Sequence, residues 1–573
     1  MEQCQFCGGT LGVKVRFCSN CGNPVTANTS INLSTSKLAS VIGDASKSKV
    51  MPSLSDRENR VRQMAAKHKK PNPLSMEAIQ HTLFVVPENF LSLMREILED
   101  FGGQAAGIVH SPDPSSLLDM SQQFIRNALQ GAVQYVCIIG DWGEVPPSNV
   151  LNDFLMFDGD KFCQTDAFYG ATEVFKTDEP FTAIPEITVG RIPVADRNIV
   201  QRVLSNDPDV PANRNSFQYG VTAQCWEVAS KEIVSSFPNL DRGAHNGVSP
   251  EDIKALPKSA ILSSPEWTEE HLRQVALPGP SEPFGLIFFN VHGGADEPQW
   301  VGESEDGNYV EIFQPGTVSE FNSALLLSEA CYGGAMFYDS PSIVEHFFAN
   351  GGNSFVGSST IAYGARATPI TAADLIAKHY IASLYAGLSQ GESLKLAKLE
   401  ALSEDPLSME YGLKTVLSFN LFGAPWQTLI RLNTSPILNT TVQSIPTRPA
   451  GSVLNRIRGN LQAPRPTKSN AINKIRDEYR ARLPPRNRQF MIERDEILSK
   501  LREFKDYSKI KEQVDQWRGS LEEAHMDFVS AGDAKGYRLV CQDSRTSKSQ
   551  RSLVMVIDGQ GQLTKTIESK GTL

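Results

Sequence analysis

Apolar strands and amphipathic helices alternate between residues 78 and 435, and this alternation limits the possible folds more than any other feature. The segments TLFVVP (82–87), YVCIIGD (135–141) and LIFFNV (286–291) are apolar almost throughout, which is typical of strands buried on both faces of a parallel sheet. Helical periodicity between them predicts the crossover connections. We therefore expect an α/β fold with a mainly parallel sheet, built from two side-by-side α/β units at 78–212 and 213–435.

Four of the nine cysteines lie within the first 21 residues, as Cys4, Cys7, Cys18 and Cys21. The spacing C-x2-C-x10-C-x2-C, with a glycine after each pair, is typical of a zinc ribbon in which four thiolates hold one structural Zn²⁺. A unit of this size has too small a core to fold without the ion. The sequence predicts a zinc ribbon at 1–25.

The regions outside the α/β units differ from them in composition. Residues 26–77 are rich in Ser, Thr, Asn and Lys and predict a flexible basic linker. A second, Pro/Arg-rich linker is predicted at 436–469. Residues 470–573 predict an α+β tail domain, in which a basic helical segment up to about residue 530 precedes a β-hairpin that turns at Asp558–Gly559.

Charge is distributed unevenly along the chain. The whole chain has a formal net charge of −10, but residues 76–445 alone carry −26, and both flanks are basic. This excludes a basic nucleic-acid-coating function for the middle of the chain, although not for its flanks. The first residues lack the pattern of a secretory signal, and no apolar run is long enough to span a membrane. We expect a cytoplasmic protein with no membrane partner, whose cysteines are thiols or metal ligands.

Two strand ends in the second unit carry reactive side chains. The strand LIFFNV leads into His292-Gly293-Gly294, and the strand ALLLSE leads into Ala330-Cys331-Tyr332-Gly333. Each signal alone is ambiguous, because His-Gly is a common turn and a cysteine after a strand is often a small buried hydrophobe. In an open parallel sheet, however, reactive groups gather at the carboxyl ends of the strands. An imidazole and a thiol are therefore expected to meet at this edge.

The pair of motifs resembles a known peptidase clan. A strand followed by His-Gly, and a later strand followed by Glu329-Ala330-Cys331, is similar to the pattern of caspases, legumains and gingipains. The stretches YVCIIGDWGEVPP (135–147), PEITVGRIPV (185–194) and FNLFGAPW (419–426), among others in the same order, resemble the gingipain branch. The resemblance covers about 80–430 and implies a caspase-like three-layer sandwich and a cysteine endopeptidase.

The resemblance also implies roles for individual residues. Cys331 would be the nucleophile and His292 the proton donor to the leaving amine, and the backbone N–H groups of Gly293 and Cys331 would form the oxyanion hole. Two residues, Gln224 and Glu227, are alternatives for a third group that orients the histidine. The family's regulated activation is expected as well.

Substrate preference follows from the same resemblance. Gingipain-like enzymes that cleave after Arg or Lys place an acidic residue at the base of the S1 pocket, and Glu227 falls near that place, with Asp241 as the alternative. Tyr363 is expected in the pocket wall. The negative charge of the α/β region supports a cationic substrate only in a general way. A solvated carboxylate in a first helical turn is an equally simple explanation of Glu227.

Other functions have weaker support. Asp158, Asp160 and Asp166 are candidate calcium ligands, but their loop lacks the spaced ligand series of a calcium site, and ordinary turn chemistry explains them better. The acidic loop 303–311 has the same ambiguity. The alternative to an enzyme is a catalytically silent scaffold that binds nucleic acid or a regulatory protein through the zinc ribbon and the basic flanks. The expected partner of the enzyme is a protein substrate.

Overall fold

The computed structural model describes two parts of the chain, residues 73–428 and 488–569. Short gaps interrupt both parts, at 103–104, 106, 111–132, 156–157, 172–174, 178–179, 206–216, 242–255, 258, 277–283, 318–324, 337–340, 405–407, 493, 518, 522–523, 532–533 and 543–551. The predicted zinc ribbon, the predicted linker 436–469 and most of the predicted linker 26–77 lie outside the described residues.

A ten-stranded sheet forms the centre of the first part. Its strands, in the order in which they lie side by side, are β2 (Gly107–His110), β1 (Thr82–Val86), β3 (Tyr135–Ile139), β6 (Thr188–Ile192), β16 (Phe419–Phe422), β14 (Ser354–Ser358), β13 (Leu325–Ser328), β9 (Phe284–Asn290), β7 (Phe217–Ala223) and β8 (Ser259–Ser264). All neighbouring pairs are parallel except β14 and β16. The sheet therefore consists of two parallel halves that meet at one antiparallel pair.

Both faces of the first half-sheet are buried, which explains its continuous apolar strands. Along β1 and β3, alternate residues belong to two different hydrophobic clusters: Phe84 and Cys137 to one, Val85 and Val136 to the other. Since successive side chains of a strand point to opposite faces, each face has its own covering layer. This confirms the predicted α/β fold with its mainly parallel sheet.

Helices connect or cover these strands. They are α1 (Pro73–Gln80), α2 (Leu91–Glu99), α3 (Arg197–Ser205), α4 (Glu227–Ile233), α5 (Glu269–Ala276), α6 (Ile343–Ala349), α7 (Ala373–Tyr385), α8 (Gln390–Glu404) and α9 (Met409–Ser418). α6 begins with a capping box, in which the side chains of Ser342 and Glu345 each accept a hydrogen bond from the other's backbone N–H. None of the helices that the structure describes has the length and apolar character needed to cross a lipid bilayer.

The described residues form three further, smaller sheets. A hairpin joins β4 (Ser148–Leu151) and β5 (Phe162–Thr165), and a three-stranded sheet contains β10 (His292–Gly293), β11 (Trp300–Glu303) and β12 (Tyr309–Phe313). The third sheet has the order β15 (Tyr363–Gly364), β21 (Leu563–Ser569), β20 (Ser552–Asp558), β19 (Ala534–Gln542), β18 (His525–Ala531) and β17 (Arg488–Met491). We call residues 488–569, with α10 (Arg494–Arg502) and α11 (Tyr507–Gln516), the C-terminal module.

Some predicted elements differ from those observed. The predicted strand near 414–430 is only β16, because α9 occupies the residues up to Ser418. The predicted helical segment 470–530 contains α10 and α11 but also β17 and β18. The hairpin formed by β20 and β21 is present, but the left-handed residue in its turn is Gly561, with φ 75°, rather than Gly559.

A buried ion pair and a buried lysine lie beside the junction of the two half-sheets. Arg191 on β6 donates to both carboxylate oxygens of Asp166, at 2.7 Å each, and both residues are buried. Lys398 on α8 is also buried, and burial lowers its pKa to about 7 although the charge of Asp166 acts in the opposite direction. Lys398 therefore opposes folding whenever it must be protonated.

The lowered pKa of Lys398 makes its effect on stability depend on pH. An unfolded lysine titrates near pH ~10.4, so between about pH 7 and 10 the unfolded chain binds a proton that the folded chain does not, and stability rises with pH. We predict that Lys398→Met raises Tm most at pH 7 and below, by a few degrees, and that the gain shrinks towards pH 10. Differential scanning calorimetry measures this. Lys511→Met, at an exposed position, is the control, and a gain that stays constant from pH 6 to 10 would contradict the assignment.

Candidate active site

The two strands predicted to carry the reactive side chains are neighbours in the sheet. β9 and β13 are parallel, with Phe289 opposite Ser328. The chain continues from β9 to His292 and from β13 to Cys331, so both residues follow the carboxyl end of their strands. Both are buried, His292 at 0% and Cys331 at 1% exposure. The structure therefore brings the imidazole and the thiol to one edge of the sheet, as the sequence predicts.

Direct backbone contact joins the two strand ends at Gly293. A Cβ atom added at Gly293 would lie 2.0 Å from the carbonyl oxygen of Cys331, a distance that no side chain tolerates. Gly293 is therefore required for the histidine strand to lie against the nucleophile turn. The contact therefore brings together the backbones of Gly293 and Cys331, the two residues predicted to form the oxyanion hole.

Hydrogen bonds to neighbouring segments hold the turn that carries Cys331. Tyr332 has a left-handed backbone with φ 55°, and its N–H donates to the carbonyl of Thr360 at 2.9 Å. The N–H of Gly334 donates to the carbonyl of Ser358 at 2.7 Å. The N–H of Ala362 donates to the Cys331 sulfur at 3.2 Å. The segment after β14 therefore fixes the turn and also provides a donor to the thiol.

Glu303 and two aromatic rings surround the imidazole of His292. Glu303 Oε2 lies 2.6 Å from His292 Nε2, and both side chains are buried. The ring of Trp226 lies 4.4 Å from the imidazole and that of Tyr309 lies 5.3 Å away, measured between centroids. These contacts fix the orientation of the ring and supply a carboxylate for an imidazolium.

The sequence did not single out Glu303 as the partner of His292. Glu303 reaches the histidine because β10 pairs with β11, opposing His292 to Val301 and Gly293 to Trp300, so that the end of β11 comes near the imidazole. The two expected candidates lie elsewhere. Gln224 accepts a hydrogen bond from the N–H of Glu305, and Glu227 contacts Lys231 and Ser263. The sequence signal that could have identified Glu303 is a short hairpin after His292 whose returning strand ends in an acidic residue.

The three residues expected around the S1 pocket have different surroundings. Glu227 lies at the start of α4, on the same sheet edge as the dyad, and accepts hydrogen bonds from Lys231 and Ser263 at 2.5 and 2.6 Å. Burial raises its pKa, but these two hydrogen bonds outweigh burial and hold the pKa below its usual value. Asp241 instead bridges to Ala260 near the start of β8, away from the carboxyl ends of the strands. Tyr363 is buried, and its hydroxyl donates to Asp158 at 2.7 Å.

Asp158 and Asp160, expected as possible calcium ligands, surround a buried lysine. Lys414 Nζ on α9 lies 2.5 Å from Asp158 and 2.6 Å from Asp160. The same carboxylates accept hydrogen bonds from the hydroxyls of Tyr363 and Tyr332, at 2.7 Å each. Burial lowers the pKa of Lys414, but the two carboxylates hold it above its usual value. Asp166, the third calcium candidate, pairs with Arg191 instead.

One group of potential metal ligands lies at the site itself. Single donor atoms of Cys225, His292 and Glu303 lie within 4.8 Å of one another. Thiolate, imidazole and carboxylate together suit Zn²⁺. The 2.6 Å contact between Glu303 and His292 accounts for two of these residues without a metal. Cys4, Cys7, Cys18 and Cys21 lie outside the described residues.

The sequence model for peptidase family C25 matches residues 94–208. Over these residues the chain is similar to family C25, the family of the gingipains. The predicted resemblance is thereby confirmed. The matched segment lies between β1 and β7 and ends before His292 and Cys331, so the roles of those residues rest on the geometry described above.

Solved structures similar to this chain include two of gingipain R. A crystal structure of the Arg-specific cysteine proteinase gingipain R is 10% identical, with a TM-score of 0.42, over 86% of this chain and 98% of that chain. A complex of the pro- and mature domains from Porphyromonas gingivalis is 11% identical, with a TM-score of 0.42, over 86% and 100%. A structure described as a protease is 13% identical, with a TM-score of 0.39, over 61% and 78%. No curated protein sequence matches the chain.

The buried Lys414 cluster predicts a large effect of one substitution. Lys414→Met leaves Asp158 and Asp160 facing each other without a cation, and breaking such a buried pair costs about 3–5 kcal/mol. We expect a loss of that size in the free energy of unfolding, measured by denaturant titration.

Lys378→Met is the matched control for Lys414→Met. Lys378 and Glu232 form a partly exposed pair, in which about 30% of each side chain is exposed. Such pairs contribute about 0–1 kcal/mol. Equal losses in the two variants would show that the cluster does not have the predicted role. The triple variant Lys414→Met, Asp158→Asn and Asp160→Asn should recover part of the loss.

Proposed function

We propose that this chain is a cysteine endopeptidase that cleaves peptide bonds after Arg or Lys, with Cys331 and His292 as its catalytic residues. The observation that carries the proposal is the meeting of the two strand ends, where Gly293 contacts Cys331 and Glu303 orients His292. The C25 match supports the reaction class independently.

The mechanism follows from this arrangement. The Cys331 sulfur, as thiolate, attacks the carbonyl carbon of the scissile bond and forms a tetrahedral oxyanion. The N–H groups of Gly293 and Cys331 are the proposed donors to that oxyanion. His292 then gives its proton to the leaving amine, and the C–N bond breaks to leave a thioester on Cys331. Water, deprotonated by His292, hydrolyses the thioester and releases the thiol.

Glu303 has a positioning role in this mechanism. Its carboxylate accepts the hydrogen bond from His292 Nε2 at 2.6 Å and stabilises the positive charge that His292 carries after taking up a proton. Trp226 and Tyr309 restrict rotation of the ring. Glu303 therefore takes the place for which Gln224 and Glu227 were the candidates.

The preference for Arg or Lys is the finer part of the proposal. Glu227 supports it, because its carboxylate lies at the catalytic edge of the sheet and hydrogen bonds keep it ionised at neutral pH. Lys231 already pairs with Glu227, so a substrate cation would have to share or displace that ammonium. Tyr363 is proposed to border the pocket through its backbone, since its hydroxyl is held by Asp158.

Covalent labelling tests both the nucleophile and the preference. Peptide electrophiles that differ only in the residue before the reactive carbonyl (Arg, Lys, Asp or Asn) are incubated with the full chain, and the labelled residue is mapped by mass spectrometry. We expect Arg and Lys probes to label Cys331 and Cys331→Ala to remain unlabelled at that peptide. Preferential labelling by Asp or Asn probes would overturn the assigned specificity.

Cys541→Ala is the matched control for this experiment. Burial raises the pKa of Cys541 to about 12, and the thiols of Cys137 and Cys163 are shifted in the same direction, so none of the three is a reactive thiolate at neutral pH. Labelling of Cys541→Ala should equal that of the unsubstituted chain. If Cys331→Ala retained peptidase activity, the proposed mechanism would be wrong.

The positioning role of Glu303 predicts a kinetic signature. Glu303→Gln keeps the shape of the side chain but removes its charge, and a comparable change in a catalytic triad lowers kcat by about 10⁴. We expect a fall of about 10²–10⁴ in kcat with KM within about threefold, because Glu303 acts through the imidazole and not on the substrate.

Glu305→Gln, two residues further along the same loop and exposed, is the control for Glu303→Gln and should leave kcat unchanged. Steady-state kinetics on an Arg-containing peptide measures both variants. An equal fall in kcat for both, or a change confined to KM, would contradict the positioning role.

The remaining expectations belong to the same proposal. One structural Zn²⁺ held by Cys4, Cys7, Cys18 and Cys21 is supported by their spacing. A regulatory protein partner and a cytoplasmic location are proposed, the latter because thiol ligands and a thiol nucleophile favour a reducing compartment. The scaffold alternative, with a nucleic-acid partner for the zinc ribbon and basic flanks, is not favoured, since a silent scaffold has no use for the buried Glu303–His292 pair beside Cys331.

A further inference from the structure

The chain segment that contacts the Cys331 thiol continues directly into an edge strand. Ala362 contacts the sulfur through its N–H at 3.2 Å, and the next two residues, Tyr363 and Gly364, form β15. β15 lies at the end of its sheet and pairs antiparallel with β21 of the C-terminal module, with Tyr363 opposite Ser569 and Gly364 opposite Glu568. One backbone edge of β15, which follows directly on the residue in contact with the nucleophile, is therefore occupied by the chain itself.

A peptide substrate that binds in an extended conformation needs a strand edge close to the nucleophile, such as that of β15. Its scissile carbonyl must reach the Cys331 sulfur, and the residues beside that carbonyl must be extended for the nucleophile to approach. Extended peptides bind proteins by adding a strand to an exposed sheet edge, where main-chain hydrogen bonds provide affinity for many sequences. β15 starts one residue after the residue that contacts the sulfur, and an added strand lies about 4.8 Å from its neighbour. A substrate strand on the edge of β15 that pairs with β21 would occupy the space that β21 fills.

Resting on the proposed peptidase function, we propose that the edge of β15 paired with β21 binds the main chain of the substrate, and that Glu568 and Ser569 are a built-in latch that must leave this edge before a substrate binds. The C-terminal module is then an intramolecular inhibitor. Activation requires only that the last two residues of β21 separate from β15.

An ion pair reinforces the latch. Glu568 is buried and accepts a hydrogen bond at 2.7 Å from Nε of Arg366. Arg366 follows Gly364, the last residue of β15, by two residues. Arg366 also interacts electrostatically with Cys225 and Glu303, so the pair stands beside the catalytic group. Arg366 is 39% exposed at its side chain, so it becomes solvated when Glu568 leaves. This lets the latch open without leaving a buried unpaired charge.

The rest of the module does not have to move. Ile567, next to the latch, packs in the main hydrophobic core with Val554 and Val556, whereas Leu553 and Met555 pack in the module's own core. The module is thus anchored by one face of its sheet. Local separation of a strand end costs far less than global unfolding, and opening is confined to Glu568 and Ser569.

The test compares a peptide probe with a small probe on the full chain. Glu568→Ala should raise the rate at which an extended Arg-containing peptide electrophile labels Cys331 by about tenfold, equivalent to about 1.4 kcal/mol. Alkylation of Cys331 by iodoacetamide, which needs no strand edge, should change by less than about twofold. Glu512→Ala, an exposed position on α11, is the matched control and should alter neither rate.

Additional variants and a competing peptide distinguish failure of the latch proposal from failure of the proposed peptidase function. Glu568→Gln keeps the side-chain volume and should act in the same direction if Glu568→Ala is poorly folded. The free peptide LTKTIES, with the sequence of β21, should slow peptide labelling of Glu568→Ala. Equal peptide-labelling rates in the unsubstituted chain and both variants would overturn the latch, as would an equal rise in both probes. Iodoacetamide alkylation of Cys331 without peptide labelling in any variant would overturn the proposed function itself.

Discussion

The ammonium group of Lys414, buried between Asp158 and Asp160, is the interaction on which the geometry of the catalytic edge depends. Two carboxylates can be held this close in the interior only because a cation lies between them. Once held, they position the hydroxyls of Tyr332 and Tyr363, and Asp160 also accepts the N–H of Ile361. One ion cluster thus fixes the turn that carries the nucleophile and the segment that contacts its sulfur.

This cluster gives the chain segment before β6 a direct part in the site. Asp158 and Asp160 precede β5, whereas the tyrosines and the lysine that they hold lie at residues 332–414. The connection is reinforced where β16 joins β6, and where the N–H of Asp166 donates to Asn420 at 2.9 Å. The C25 match covers part of this segment, which carries none of the proposed catalytic residues. Its role in the site is to supply the carboxylates that hold the catalytic turn in place.

Sequence patterns identified the sheet and the dyad but not the contacts that orient them. Continuous apolar strands predict burial on both faces, and this was enough to place His292 and Cys331 at one edge, because parallel strands all end on the same side. Local sequence places Glu303 only in an acidic loop, since its position depends on the pairing of β10 with β11, which has no strong local signal. Asp158 is a calcium candidate by sequence because a lysine more than 250 residues away cannot be matched to it from spacing. The sequence predicts helix where β17 and β18 lie, because the residues of these strands pair only within the assembled module.

Tyr363 takes part both in the Lys414 cluster and in the pairing of β15 with β21. It explains how the strand pairing can change while the cluster stays intact. Its hydroxyl is held by Asp158, and its ring packs at 4.9 Å against Tyr411. Its backbone, in contrast, pairs with Ser569 of the C-terminal module. Side-chain anchoring keeps β15 in place whether its edge is paired or not, because the hydrogen bond to Asp158 does not involve the backbone. The edge is therefore preformed, and a substrate strand that replaces β21 would not have to order it.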